Sequence, residues 1–203
     1  MGRIETERLI MRRWREEDRE PFAAMNADPE VMEHFPGTLT REQSDVMVDK
    51  IEQHFDKHGF SLWALEVRES GEFIGFTGLG WQTFDAPFLP AVEVGWRLAR
   101  PAWGHGYAIE AARQAVGYAF TEAGLEDIIS MTAARNLRSR AVMERLGMTY
   151  EADFDHPRVA KGSPLLPHVL YRLKRGTTSS RTAPARPGPL PNPRLRPSSA
   201  DGE

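Results

Sequence analysis

Val94-Gly95-Trp96-Arg97-Leu98-Ala99-Arg100-Pro101-Ala102-Trp103-Gly104-His105-Gly106-Tyr107-Ala108 reads as a strand, a turn with two glycines, and the start of an alanine-rich helix. Gly104 and Gly106 lack a Cβ, so the chain can turn tightly there and let a ligand approach the backbone. The helix that follows offers unpaired N–H groups and the positive end of its dipole. Together these suit a phosphate or diphosphate. A bound diphosphate points to a nucleotide-like cofactor, and so to an enzyme. A dinucleotide fingerprint fits poorly, because its third glycine position is Ile109 and the turn does not follow the first strand of a repeated βαβ unit.

On either side of this turn, helical and strand-like patterns alternate. Arg8 to Trp14 reads as a first strand, and Glu16 to Asn26 as a short helix with Phe22, Ala23 and Met25 inward. A longer helix is predicted from Arg41 to Lys57, with Thr40 as N-cap and Val46, Met47, Ile51 and Phe55 on its buried face. Phe60 to Val67, Phe73 to Trp81 and Val92 to Leu98 read as strands, the first two joined by the turn Glu69-Ser70-Gly71-Glu72. Tyr107 to Glu122 is predicted helical with Ile109, Ala112, Val116 and Ala119 inward; Asp127 to Ala133 reads as a strand and Leu137 to Leu146 as a helix. Met148 to Phe154 and His168 to Leu173 are the last strands. Early helices, hairpin-linked strands and one strand–helix–strand crossover indicate an α/β fold: a mixed, mostly antiparallel sheet of about seven strands with helices on both faces. A ligand on the crossover helix would lie at the carboxyl edge of that sheet.

Composition bounds the rest. At 203 residues and 40% hydrophobic the chain can bury one sizeable core. The absence of cysteine excludes disulfides, thiolate catalysis and thiolate metal sites. The N-terminus lacks the apolar run of a signal peptide, and no stretch approaches the roughly 18 apolar residues of a membrane helix, so a cytoplasmic protein with no membrane partner is expected. Residues 176–203 hold six prolines, four arginines and two acids. Such a segment cannot bury enough surface to offset its ordering entropy and is expected to be a disordered tail after a domain of residues 1–175. The body then carries 22 basic and 27 acidic residues, which argues against nucleic acid as a partner.

Beyond the glycine turn, Asn136-Leu137-Arg138-Ser139 opens a helix that ends at Gly147-Met148. Val92-Glu93-Val94-Gly95-Trp96, Trp103-Gly104-His105-Gly106-Tyr107-Ala108, and Asn136 with Ser139 and Gly147-Met148 fall in the order and spacing of the GNAT acetyltransferase superfamily, which the chain resembles over about residues 3–174. Glu5-Thr6-Glu7-Arg8-Leu9-Ile10-Met11-Arg12 is similar to the branch of ribosomal-protein N-terminal (alanine/serine) acetyltransferases. The resemblance implies acetyl transfer from acetyl-CoA to a primary amine, the diphosphate held by backbone N–H groups from about Gly104 through His105, Gly106, Tyr107 and Ala108 to Ile109. It implies pantetheine contacts from the backbone of Trp96, Arg97 and Leu98 and from Asn136. Trp103 stands where the family often has Gln or Arg, which removes one polar contact but leaves the backbone cradle. Relatives often dimerise, so a homodimer is a further expectation.

Amine attack on a thioester needs a neutral amine and a thiolate able to leave. Deprotonating a lysine amine near pH 7 costs roughly 4–5 kcal/mol and an α-amine about 1, whereas a thiol of pKa about 8.5 leaves readily. A base therefore matters more than an acid. Glu93, on the strand before the turn, is the candidate base, since burial among Val92, Val94 and Trp96 would raise its pKa; the alternative is a structural glutamate paired with an arginine on a neighbouring strand. Ser139 is the candidate donor to the departing thiolate, or else a helix cap, because Met143 stands where relatives carry a tyrosine. Asn136 has N-capping as its alternative role, and the backbone of Trp96, Arg97 and Leu98 has sheet pairing. His54 and His58 have metal-compatible spacing without a third ligand, so no metal is expected. Trp63, Trp81 and Trp96 read as core. Glu33, beside His34-Phe35-Pro36-Gly37, is a surface acid or a contact to a cationic acceptor. The acceptor stays open between a protein N-terminal α-amine and a small-molecule amine such as a polyamine, amino acid or antibiotic. A non-catalytic CoA-binding regulator is the alternative from another class.

Overall fold

The computed structural model describes residues 3–176. The tail expected beyond Arg175 falls almost wholly outside the described residues. Along the chain run β1 (Ile4–Glu5), β2 (Leu9–Arg12), α1 (Arg19–Ala27), α2 (Arg41–His58), β3 (Leu62–Val67), β4 (Phe73–Gln82), β5 (Ala91–Leu98), α3 (Tyr107–Thr121), β6 (Asp127–Ala133), α4 (Leu137–Arg145), β7 (Thr149–Asp155) and β8 (Pro167–Lys174). They form one eight-stranded sheet in the order β1-β2-β3-β4-β5-β6-β8-β7. Every neighbouring pair is antiparallel except β5 and β6, which are parallel. The strand beyond the expected seven is β1, whose two residues are too few to show an alternating pattern. No helix among the described residues is long and apolar enough to cross a membrane.

Local chemistry sets the element ends. Thr40 accepts from the Gln43 N–H while the Gln43 side chain accepts from the Thr40 N–H, which closes a capping box at the start of α2. Gly59, at φ 76°, ends the helix in the left-handed region. The buried face of α2 is Ser44, Val48, Ile51 and Phe55. Val46, expected inward, is 50% exposed. Two residues along a helix turn the side chain by about 200°, so a stripe through Ser44 and Val48 must leave Val46 outside. Trp81 also departs from expectation, at 39% exposed near the end of β4, where its ring meets that of His58 with centroids 6.0 Å apart. Trp63, by contrast, is fully buried.

Helix α1 packs on one sheet face, where Trp14, Phe22 and Phe76 meet, while Phe55 of α2 packs on Trp63, whose side chain points to the other face. At the edge of this layer the buried Arg12 guanidinium donates to both oxygens of Asp18 at 2.7 and 2.8 Å and to Glu66 at 2.7 Å. Helix α3 supplies Ala111, Ala112, Ala115, Val116 and Ala119 to the same core, with Ile109 only partly buried. Small residues on this face let the helix lie close to the strands.

Candidate active site

The site begins where the sheet opens. Ala99 N–H donates to Ile74 O at 2.9 Å, and the β4–β5 register pairs Arg97 with Phe76 and Gly95 with Gly78. In an antiparallel pair every second residue directs its backbone groups at its partner, so the odd-numbered residues of β5 face β4 and the even-numbered ones face β6. Yet β5 and β6 share only one ladder position, Glu93 opposite Ile129. Beyond it Met131 N–H goes to Glu93 Oε1 at 3.2 Å rather than to the carbonyl of Val94. That carbonyl accepts the Ser130 hydroxyl instead, at 2.9 Å. The carboxylate of Glu93 thus takes the amide that would continue the ladder, and the strands part. Trp96 and Leu98 follow in the wedge. Leu98 O accepts the indole N–H of Trp103 at 2.8 Å, while the backbone groups of Trp96 and the N–H of Leu98 have no partner among the described residues. The backbone of Arg97 is turned to β4, so of the three residues expected to meet a pantetheine arm through their backbone, only Trp96 and Leu98 face the gap.

Glu93 sits at the apex of this wedge. Desolvation by burial pushes its pKa up to about 7, against the opposing pull of hydrogen bonds from Met131 N–H and from Gln82 Nε2, the latter at 2.8 Å. No arginine lies within ion-pair distance among the described residues, so the alternative of a paired structural glutamate has no support. A carboxylate titrating near neutrality is suited to proton transfer at physiological pH.

Below the wedge β5 runs through a short turn at Arg100–Ala102 into α3. Gly104 and Gly106 adopt φ 83° and 80°, which L side chains rarely take, and both are exposed. The first hydrogen bond of the helix is Glu110 N–H to Gly106 O at 3.2 Å. The N–H groups of Gly104, His105, Gly106, Tyr107, Ala108 and Ile109 donate to no acceptor among the described residues. Six successive free amides at a helix N-terminus fit a diphosphate. The Trp103 ring carries the guanidiniums of Arg100 and Arg138 at 4.9 and 4.6 Å, which add positive charge beside the turn.

Sequence reasoning missed what fixes this turn. Glu110, in the first turn of α3, accepts from Thr6 Oγ1 at 2.5 Å, Arg8 N–H at 2.8 Å and Arg8 Nε at 2.7 Å. Arg8 Nη1 also donates to His105 O at 2.9 Å, and its guanidinium lies 4.9 Å from the Tyr107 ring centroid. Burial would raise the Glu110 pKa, but the hydrogen bonds from Thr6 and Arg8 hold it below the usual range. The signal was the Thr6-x-Arg8 pair before β2, legible only with its partner known. The polar role of Trp103, whose N–H holds the end of β5, was likewise missed.

On the other wall Asn136 caps α4, with Oδ1 accepting Ser139 N–H at 3.1 Å. Its Nδ2 donates to Thr132 Oγ1 at 3.0 Å and to Ser139 Oγ at 3.2 Å. Because Ser139 Oγ is the acceptor there, its own proton remains to be donated elsewhere. Met143 is 1% exposed and belongs to the core. Glu33 pairs with Arg135 at 3.6 Å, and among the described residues no cluster of three or more His, Cys, Asp or Glu could hold a metal ion, His54 and His58 included.

The family model described as "Acetyltransferase (GNAT) domain" matches residues 8–149. A Bacillus subtilis protein named only as YkkB is 31% identical over 149 residues, covering 73% of this chain and 86% of its own length. The FsC-acetyl coenzyme A-N(2)-transacetylase of Aspergillus fumigatus is 32% identical over 162 residues, 74% of this chain and 66% of that protein. The solved ribosomal-protein-S5-alanine acetyltransferase of Vibrio fischeri shares the fold, with a TM-score of 0.70 at 16% identity, over 87% of this chain and 98% of that one.

Proposed function

We infer, for a chain that belongs to the GNAT acetyltransferase family, that acetyl is moved from acetyl-CoA directly onto a primary α-amine, a protein N-terminus in the first instance. The observation that carries this reading is the run of unpartnered amides at residues 104–109, on the same edge of the sheet as a wedge whose apex is Glu93. Acetyl-CoA, when bound, supplies a thioester open to a neutral amine. The reading assigns its diphosphate to the amides of Gly104 to Ile109 and its pantetheine arm to the backbone of Trp96 and Leu98 and to Asn136. Residues 1–175 form the acetyltransferase domain in this account.

Glu93, with its pKa near 7, accepts the amine proton directly or through water. That strength suits an α-amine, whose deprotonation costs about 1 kcal/mol at neutral pH, better than a lysine at roughly 4–5. Ser139 offers its unused hydroxyl proton to the leaving thiolate, a minor aid because a thiol is already a fair leaving group. The names of two relatives, one acting on the alanine of a ribosomal protein and one at an N(2) nitrogen, are in keeping with an α-amine. The test is a panel of N-terminal peptides, lysine side-chain amines and small amines, read by CoA release, with calorimetry on acetyl-CoA. Turnover of α-amines is expected. Turnover confined to lysine side chains would refute the acceptor; CoA binding and a cellular role that survive Glu93→Gln without any turnover would favour a regulator.

A further inference from the structure

We propose that Arg97 receives a carboxylate on the acceptor, so that the amine acetylated here belongs to a molecule that also carries an acid group. The inference rests on the transfer reading above and specifies its substrate class. Glu93, Gly95 and Arg97 occupy alternate positions on β5 and therefore share one face of the sheet. A Cβ at Gly95 would meet nothing within 4 Å, so the face is open between the other two, whose Cα atoms lie about 13 Å apart at the strand rise. An acceptor lying over Gly95 has Glu93 at one end and Arg97 at the other.

The guanidinium of Arg97 is held but not neutralised. Its Nη1 donates to Asn26 Oδ1 at 2.7 Å, and Asn26 is itself fixed by donating to Ser44 Oγ at 3.1 Å. Its Cζ lies over the Phe35 ring, 4.0 Å from the centroid, and over the Phe76 ring at 5.4 Å. Among the described residues no carboxylate lies within 4.0 Å of it, and Nε is buried without a hydrogen-bond partner. Arg12, the other guanidinium buried in this half of the molecule, has two carboxylates. Burying a cation against a neutral amide alone is unfavourable, and burial draws the Arg97 pKa down to about 10. With Nη1 committed to Asn26 and Nε buried, Nη2 is the nitrogen left without a partner and open to a ligand, and a carboxylate meeting it would supply the counter-charge that the guanidinium lacks. The two rings and Asn26 hold the guanidinium in place, and the residue keeps partial solvent access.

The experiment compares acceptors that differ only in the acid. One arm uses free aminocarboxylic acids and their carboxamides; the other uses C-terminally amidated peptides with aspartate or asparagine at the second position. Whichever arm holds the true acceptor is expected to give kcat/KM about 100-fold higher for the acid, mostly through KM, and Arg97→Gln is expected to bring that ratio near one. An Arg97 that only braces Phe35 and Asn26 would lower both members of a pair and leave the ratio standing, which overturns the proposal. An acid-to-amide ratio near one in the unaltered enzyme overturns it too, whether or not the variant folds, and leaves acetyl transfer intact. No turnover of any amine would overturn the transfer reading and this inference together.

Discussion

Replacing Glu93 by glutamine separates its two roles, as an acceptor at the apex of the wedge and as a base. Glutamine keeps an oxygen for Met131 N–H, and the Gln82 amide can turn its own oxygen toward the new side chain, so the wedge is retained. What disappears is a carboxylate whose folded-state pKa is about 7 against an ordinary value of 4.5. A raised acid contributes stability that is fully present below the unfolded value and lost as pH rises through the folded one. The shift corresponds to an upper bound of about 3 kcal/mol, reduced by partial solvent access. Glu93→Gln is therefore expected to match the parent at pH 4 and to exceed it by about 1–3 kcal/mol at pH 8 to 9, a gap opening between pH 4.5 and 7. In thermal unfolding that is a Tm gain of several degrees at alkaline pH. Activity moves the other way. The parent kcat/KM rises with pH through about 7 as Glu93 ionises, and the variant loses about 100-fold or more together with that limb. Equal stabilities across the whole pH range, or a variant that keeps the limb near pH 7, would refute the reasoning.

Gly106→Ala places a Cβ at φ 80°, 3.5 Å from Arg8 Nη2, so the cost is backbone strain of about 1–2 kcal/mol, seen as a Tm loss of a few degrees and weaker CoA binding by calorimetry. Ser139→Ala removes the spare hydroxyl proton but keeps the N–H that Asn136 caps, so kcat should fall only about 3- to 10-fold with stability nearly unchanged in chemical unfolding. Arg12→Ala strips the buried Asp18 of its cation, while Glu66 keeps Arg15 at 3.1 Å, and urea unfolding should record a loss of about 3 kcal/mol.

The strands and the glycine turn were legible because each is a local matter: short runs rich in apolar residues, the first two joined by a turn, mark β3 to β5, and Gly104 and Gly106 stand where the chain needs positive φ. Helix α2 was placed with Ile51 and Phe55 inward as expected, but Val46 was taken for Val48, since the two are equally apolar and only the packed partner decides which turns inward. Glu93 was legible as a base candidate from its strand and its apolar neighbours. Its hold on Met131 N–H was not, because that bond joins residues 38 apart and depends on where β6 lands. The clamp of Thr6 and Arg8 on Glu110 spans more than a hundred residues and is invisible for the same reason. Arg97 was singled out for its backbone; the structure draws attention to its side chain, whose environment comes from α1 and the segment that follows it.

The central claim is that the free amides from Gly104 to Ile109 grip the diphosphate of the acetyl carrier. Amide hydrogen exchange of the full chain with and without CoA, resolved to single residues, tests it most directly. The account predicts that these amides exchange fast in the free protein and gain strong protection with CoA, while the outer strands change little. Saturating CoA that leaves them exchanging freely, with protection appearing elsewhere, would contradict it.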